Sequence, residues 1–143
     1  MSVYLDTSVM LSLHLRDVNY APALAIMQSL RGKVLWTPWQ KVEFGNAVRA
    51  LIARGKLTDA DVKNIEKSIR ASITGGDMIT RPLPAYALWQ EADRLSRAYS
   101  STIGVRTLGL LHVAAACVLK ATRFRTFDNR QHALARAVGL SIN

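Results

Sequence analysis

Short apolar runs, each stopping at a polar residue, alternate along this chain with segments of helical pattern. No other feature restricts the possible folds as much. VYL at Val3 to Leu5 stops at Asp6, Thr7 and Ser8, VLW at Val34 to Trp36 stops at Thr37, and RFRTF at Arg123 to Phe127 stops at Asp128. Runs this short suit strands buried on both faces. Between them, Tyr20 to Arg31 carries Pro22 near its start and Gly32 just beyond its end, which predicts a helix. Thr37 and Pro38 supply an N-cap and a first helical position for a helix with an inner stripe of Phe44, Ala47, Val48, Leu51 and Ile52, ending at Gly55. Thr58, with Asp59 and Asp61 in the first turn, opens another that closes near Gly75 and Gly76. Met78 to Leu83 reads as a strand that Pro82 and Pro84 confine to an edge. A helix from Ala85 to about Ser100, an apolar helix starting near Gly109, a helix over Asn129 to Val138 and a last short strand at Leu140 to Ile142 complete the pattern.

Such alternation predicts an α/β fold: a central, mostly parallel sheet with right-handed crossovers and helices on both faces. No repeat or linker interrupts it, so residues 1–143 are expected to form one domain, a length sufficient for a real core.

Charge narrows the partners. The formal net charge is +9, from 19 Lys and Arg against 10 Asp and Glu, and this excess attracts polyanions, with RNA or DNA first among them. A basic surface that docks an acidic protein is the alternative. Cys117 is the single cysteine, which excludes an internal disulfide and fits a reducing cytoplasm; its ordinary role is that of a small buried apolar residue. The start MSVYLDTSVM has no basic leader before an apolar stretch, so no signal peptide is expected, and the apolar runs fall short of a membrane span. There is no GxGxxG or Walker loop, no Cys/His metal spacing and no Ser/His/Asp arrangement.

In parallel sheets ligands bind beyond the carboxyl ends of the strands. Asp6 and Asp128 each follow a strand there. Glu43, with Trp39 and Ala47 four residues away on either side, borders the apolar face of its helix. An ionised carboxylate so placed needs a partner, and a divalent cation shared with Asp6 and Asp128 would be one. Each acid also has an ordinary explanation. Asp6 and Asp128 suit caps or turns, and Glu43 can reach water or pair with Lys41 or Arg49. What favours a shared site is that the topology brings all three toward one end of one sheet.

YLDTSVML at the start, PWQKVEFGNAV around Glu43, STIGVRTLGLLHVAAA from Ser101 and RFRTFDNRQHALARAVGL near the end together resemble the PIN-domain nucleases, in particular the VapC-type toxins of bacterial toxin–antitoxin systems. The resemblance runs over essentially the whole chain. It implies a compact cytoplasmic α/β protein, often a homodimer, that is held by a cognate antitoxin and cuts RNA with Mg2+ or Mn2+ on acidic side chains. Asp6 matches the first acid, Glu43 the second and Asp128 the fourth, and these are the implied catalytic and metal-binding residues. Ser8 and Thr126 match neighbouring positions whose hydroxyls orient a carboxylate or a metal-bound water. The position matching the third acid is Gly109.

A metal ion in such a site screens phosphate charge and lowers the pKa of a water that attacks in line. Magnesium needs only one or two direct carboxylates, so Asp6 and Asp128 can still hold an ion with Glu43 acting through water. The expectation is a stable protein with weakened metal binding. His112, one turn beyond Gly109, is expected to be a packed or hydrogen-bonded structural residue, since imidazole suits magnesium poorly and manganese somewhat better. Arg106, Arg123, Arg125 and Arg130 surround the acids in sequence and are candidate contacts to RNA phosphates, although scattered arginines are often surface charge alone. Trp36, Trp39 and Trp89 can stack on bases but more often fill cores. The leading expectation is therefore an impaired metal-dependent endoribonuclease toxin; the alternative is a catalytically silent protein of the same fold that binds RNA or an antitoxin.

Overall fold

The computed structural model describes residues 1–143. Four strands, β1 (Ser2–Leu5), β2 (Lys33–Trp36), β3 (Met78–Thr80) and β4 (Arg123–Arg125), form one sheet in the order β3-β2-β1-β4. Every pairing is parallel, with Tyr4 opposite Leu35 on one side and Phe124 on the other. The expected α/β fold is present, and β3 lies at the edge that Pro82 and Pro84 indicated.

Side chains alternate across a strand, so β1 sends Val3 and Leu5 to one face and Tyr4 to the other. On the first face Val3, Leu5, Val34, Trp36 and Met78 pack with residues of α1 (Thr7–Leu15), α2 (Tyr20–Ser29), α3 (Pro38–Ala53) and α4 (Asp59–Thr74). On the second, Tyr4, Leu35 and Phe124 pack with α5 (Ala85–Leu95), α7 (Thr107–Val118) and α8 (Asn129–Ala137). Tyr4 and Phe124 stack with ring centroids 5.7 Å apart. Helix α7 is buried from Gly109 through Ala116, as an all-round apolar helix must be. Each fully buried Leu, Val or Phe side chain stabilises the fold by roughly 1.5–3 kcal/mol.

Five segments differ from expectation, two of them strands that stop early, β3 at Thr80 instead of Leu83 and β4 at Arg125 instead of Phe127. Thr7 to Leu15 is a helix, α1, where the sequence marked only the end of a strand. Asp6 is its N-cap but makes no side-chain capping bond, and the run TSVMLSLHL is apolar on most sides, so no helical stripe marks it in the sequence. The helix expected to reach Ser100 is regular only to Leu95; one π-helical turn over Ser96–Ser100 then leads into the short α6 (Ser101–Ile103). The last strand is reduced to a parallel bridge between Ser141 and Arg123. Gly32, with φ +113°, is required at the entry to β2, because a Cβ there would lie 2.3 Å from the Met1 carbonyl oxygen.

Candidate metal site at the ends of the strands

Asp6 follows β1, and its backbone N–H donates to the Arg125 carbonyl at 2.9 Å, fixing it at the carboxyl end of two adjacent strands. The residue is buried. Its Oδ2 accepts hydrogen bonds from Ser8 Oγ at 2.6 Å and Thr126 Oγ1 at 3.1 Å. Both hydroxyls therefore hold this carboxylate from the same oxygen.

Glu43 is delivered by α3. The Thr37 side chain caps that helix, Gln40 completes a capping box, and Gln40 Nε2 donates to the Leu5 carbonyl at 2.8 Å. The helix start is thus tied to the end of β1, and Glu43 follows Gln40 by about one turn. Its Oε2 accepts from the Thr7 hydroxyl and lies 2.6 Å from His112 Nε2. Neither Lys41 nor Arg49 is its partner. Burial alone would push the Glu43 carboxyl up, but the hydrogen bond and charge of His112, with the Thr7 hydroxyl, hold it below its ordinary value.

His112 is the residue that organises the site. It is 1% exposed, with Nε2 at 2.6 Å from Glu43 and 3.4 Å from Asp6 Oδ1, while Nδ1 lies 3.1 Å from the Tyr4 hydroxyl. It is packed and hydrogen-bonded, as expected, and it also completes a group: one ligand atom each from Asp6, Glu43 and His112 lie within 4.8 Å of one another. Such a group can hold a metal ion.

Asp128 stands differently. It borders the same open cleft of about 480 Å³ as Asp6, Thr7, Ser8, Glu43 and Gln131, yet its ligand atoms fall outside the group of three. Its Oδ1 accepts from the backbone N–H groups of Arg130 and Gln131 at 2.8 and 2.9 Å, capping α8. That is the ordinary role foreseen for it, and the second oxygen is not used in this cap.

Gly109 occupies the first turn of α7 and is buried. An ideal Cβ on it would lie 2.8 Å from Gln131 Cγ. The space a third acidic side chain would enter is therefore filled by Gln131, whose Nε2 lies 3.5 Å from Asp6 Oδ2 and whose buried Oε1 has no partner.

Of the four arginines, Arg106 and Arg130 border a second depression together with Asp128 and Asn129. Arg130 donates to the Gly104 carbonyl at 3.0 Å. Arg123 is half-buried. Arg125, expected at the phosphate-binding surface, is instead buried, because its odd register on β4 turns it into a covered face of the sheet. Burial and the neighbouring Arg123 charge hold its guanidinium below its ordinary pKa. Trp36 is core, Trp39 packs beside His112 with ring centroids 5.7 Å apart, and Trp89 is exposed.

Sequence reasoning missed Thr7, Tyr4 and Gln131 as neighbours of the site. Comparison of the chain with protein-family models finds no match, and comparison with curated proteins finds none either.

Proposed function

We propose that this protein is a divalent-metal-dependent endoribonuclease of the toxin type, with Asp6, Glu43 and His112 as its metal ligands. The observation that carries this reading is the convergence of two carboxylates and an imidazole at the carboxyl ends of parallel strands, where such sheets place their ligands. The donor set fits a cation. Two carboxylates directed at one imidazole nitrogen repel each other unless a proton on that ring or a cation between them offsets their charge, and a metal ion can take the place of the proton. A nitrogen among the oxygens favours Mn2+ over Mg2+.

A bound divalent ion would neutralise phosphate charge and make a water acidic enough to attack the phosphodiester bond. The chain's own residues prepare for it. His112 donates from Nε2 to Glu43 when it bridges the pair; with its proton on Nδ1 instead, Nε2 presents a lone pair and the Tyr4 hydroxyl accepts from Nδ1. Burial pushes the Tyr4 phenol far up, so it stays neutral and can serve in either direction. Ser8 and Thr126 hold the Asp6 carboxylate in place from Oδ2. Asp128 borders the cleft from the α8 side, and Arg106 and Arg130 beside it suit the phosphates of an RNA strand. A cognate antitoxin, a homodimeric state and a cytoplasmic location belong to the same proposal.

One observation favours the silent alternative: Gln131 fills the space at Gly109 and adds no charge. A single experiment separates the two. Cleavage of a single-stranded RNA with Mn2+ is followed for the wild-type chain and for Asp6→Asn and Glu43→Gln, with Mn2+ binding measured by calorimetry. A nuclease loses both cleavage and Mn2+ affinity in each variant. RNA binding without cleavage in the wild-type chain would instead establish the silent reading.

A further inference from the structure

Phe124 stacks on Tyr4, so alternation along β4 turns Arg125 to the opposite face of the sheet. There it borders a groove of about 380 Å³ with Pro22, Ala25 and Ile26 of α2, His132 of α8, and Ile142. The residue is 7% exposed, and its Nη1 is buried without a hydrogen-bond partner. No carboxylate pairs with it: the ion pairs of the molecule involve Arg94, Arg97 and His112. The residue two positions away on the same strand face is Arg123, a like charge.

A buried guanidinium cannot relieve its isolation by losing a proton, as a buried lysine can. Left unpaired it is costly, and an anion seated against it offsets that cost. Its planar fork suits a head with two coplanar oxygens. The remaining walls decide what that head is attached to. Beside the polar Ser29, Thr126 and His132, the walls carry Pro22, Ala25, Ile26 and Ile142, whose apolar surface a fully hydrated inorganic ion would leave in contact with water and an apolar chain would cover.

We propose that this groove binds a carboxylate carried on a short apolar chain, its two oxygens held by Arg125. The groove contains none of the three residues of the metal-binding group, although Thr126, which donates to Asp6, borders both, and the proposal does not depend on the nuclease reading.

The test titrates the full chain with sodium octanoate and, in parallel, with inorganic phosphate, by calorimetry and thermal denaturation. Octanoate should bind saturably at one site and raise the melting temperature, and phosphate should bind at least about tenfold more weakly. Arg125→Met should weaken octanoate binding by at least about tenfold. Ala25→Glu, at an exposed helix position, supplies a carboxylate within the groove; it should raise the melting temperature without ligand and block octanoate. This second variant decides the matter even where Arg125→Met fails to fold. The proposal is overturned if octanoate gives no saturable binding, if phosphate binds as tightly, or if octanoate binding is unchanged in either variant.

Discussion

At position 109 side chains compete for space as well as for charge. A Cβ there would lie 2.8 Å from Gln131 Cγ, closer than packed atoms tolerate, and 3.2 Å from Cδ, so Gln131 must shift. Gly109→Asp alone is expected to lose about 1–3 kcal/mol in chemical denaturation. Gly109→Asp with Gln131→Ala should recover most of that loss and bind Mn2+ more tightly than the wild-type chain. A single variant as stable as wild type would show that Gln131 moves aside freely. Tyr4→Phe tests the other side of the site. It leaves the buried Nδ1 of His112 without its partner at 3.1 Å, which should cost about 1–3 kcal/mol of stability. Cys117 offers a check unrelated to the site. Burial, aided by the Glu91 charge, pushes its thiol up to about 11, so at pH 8 its thiolate fraction is about 100-fold lower than that of an ordinary cysteine. Alkylation by iodoacetamide, followed by mass spectrometry, should be slower by a similar factor and accelerate toward pH 11. A rate at pH 8 equal to that of free cysteine would contradict the half-buried placement beside Glu91.

Two helices begin with the same device in different surroundings, and the contrast shows what an element's sequence can reveal. Thr37 with Gln40 and Thr58 with Asp61 both form capping boxes, and both helix starts are legible from the cap residue and the first turn after it. Thr37 is 1% exposed and its partner Gln40 also holds the end of β1, whereas Thr58 is exposed. Thr37→Ala should therefore cost near the upper end of about 0.5–2 kcal/mol, and Thr58→Ala near the lower end, as read by thermal denaturation. Equal losses would mean that burial adds nothing to the first cap. Helix α1 was hidden because it lacks such a start and ends at Arg16 in a left-handed conformation (φ 50°) rather than at a glycine. The placement of Glu43 was legible as a carboxylate on the border of an apolar face. Its partner was not: His112 is 69 residues away in sequence, and no local pattern encodes which face of α7 meets which face of α3. The same holds for Gln131, 125 residues from Asp6.

For the molecule as a whole, the alternation of strand and helix fixed the sheet and brought Asp6, Glu43 and Asp128 to one cleft, but three-dimensional packing chose His112 over Asp128 as the third member of the compact group. The net charge of +9 makes RNA binding strongly salt-dependent under the proposed function. Arg106→Ala and Arg130→Ala should each lower the slope of log affinity against log salt by about 1 in fluorescence anisotropy with a single-stranded RNA, whereas Lys63→Ala, on the exposed face of α4, should leave it nearly unchanged. Equal slopes in all three would place the RNA elsewhere. The sheet has a further consequence at its margins. Phe124 donates its backbone N–H to Ser141, so the outer side of β4 is already engaged by the chain's last residues. On the other side β3 spans only Met78 to Thr80 before Pro82 and Pro84 remove donors. Neither margin offers a ladder long enough to template another strand. The sheet is self-terminating, which guards the chain against fibre growth by strand addition, and its exposed large aromatic side chains, Tyr86 and Trp89, lie on helix α5 rather than on a sheet edge.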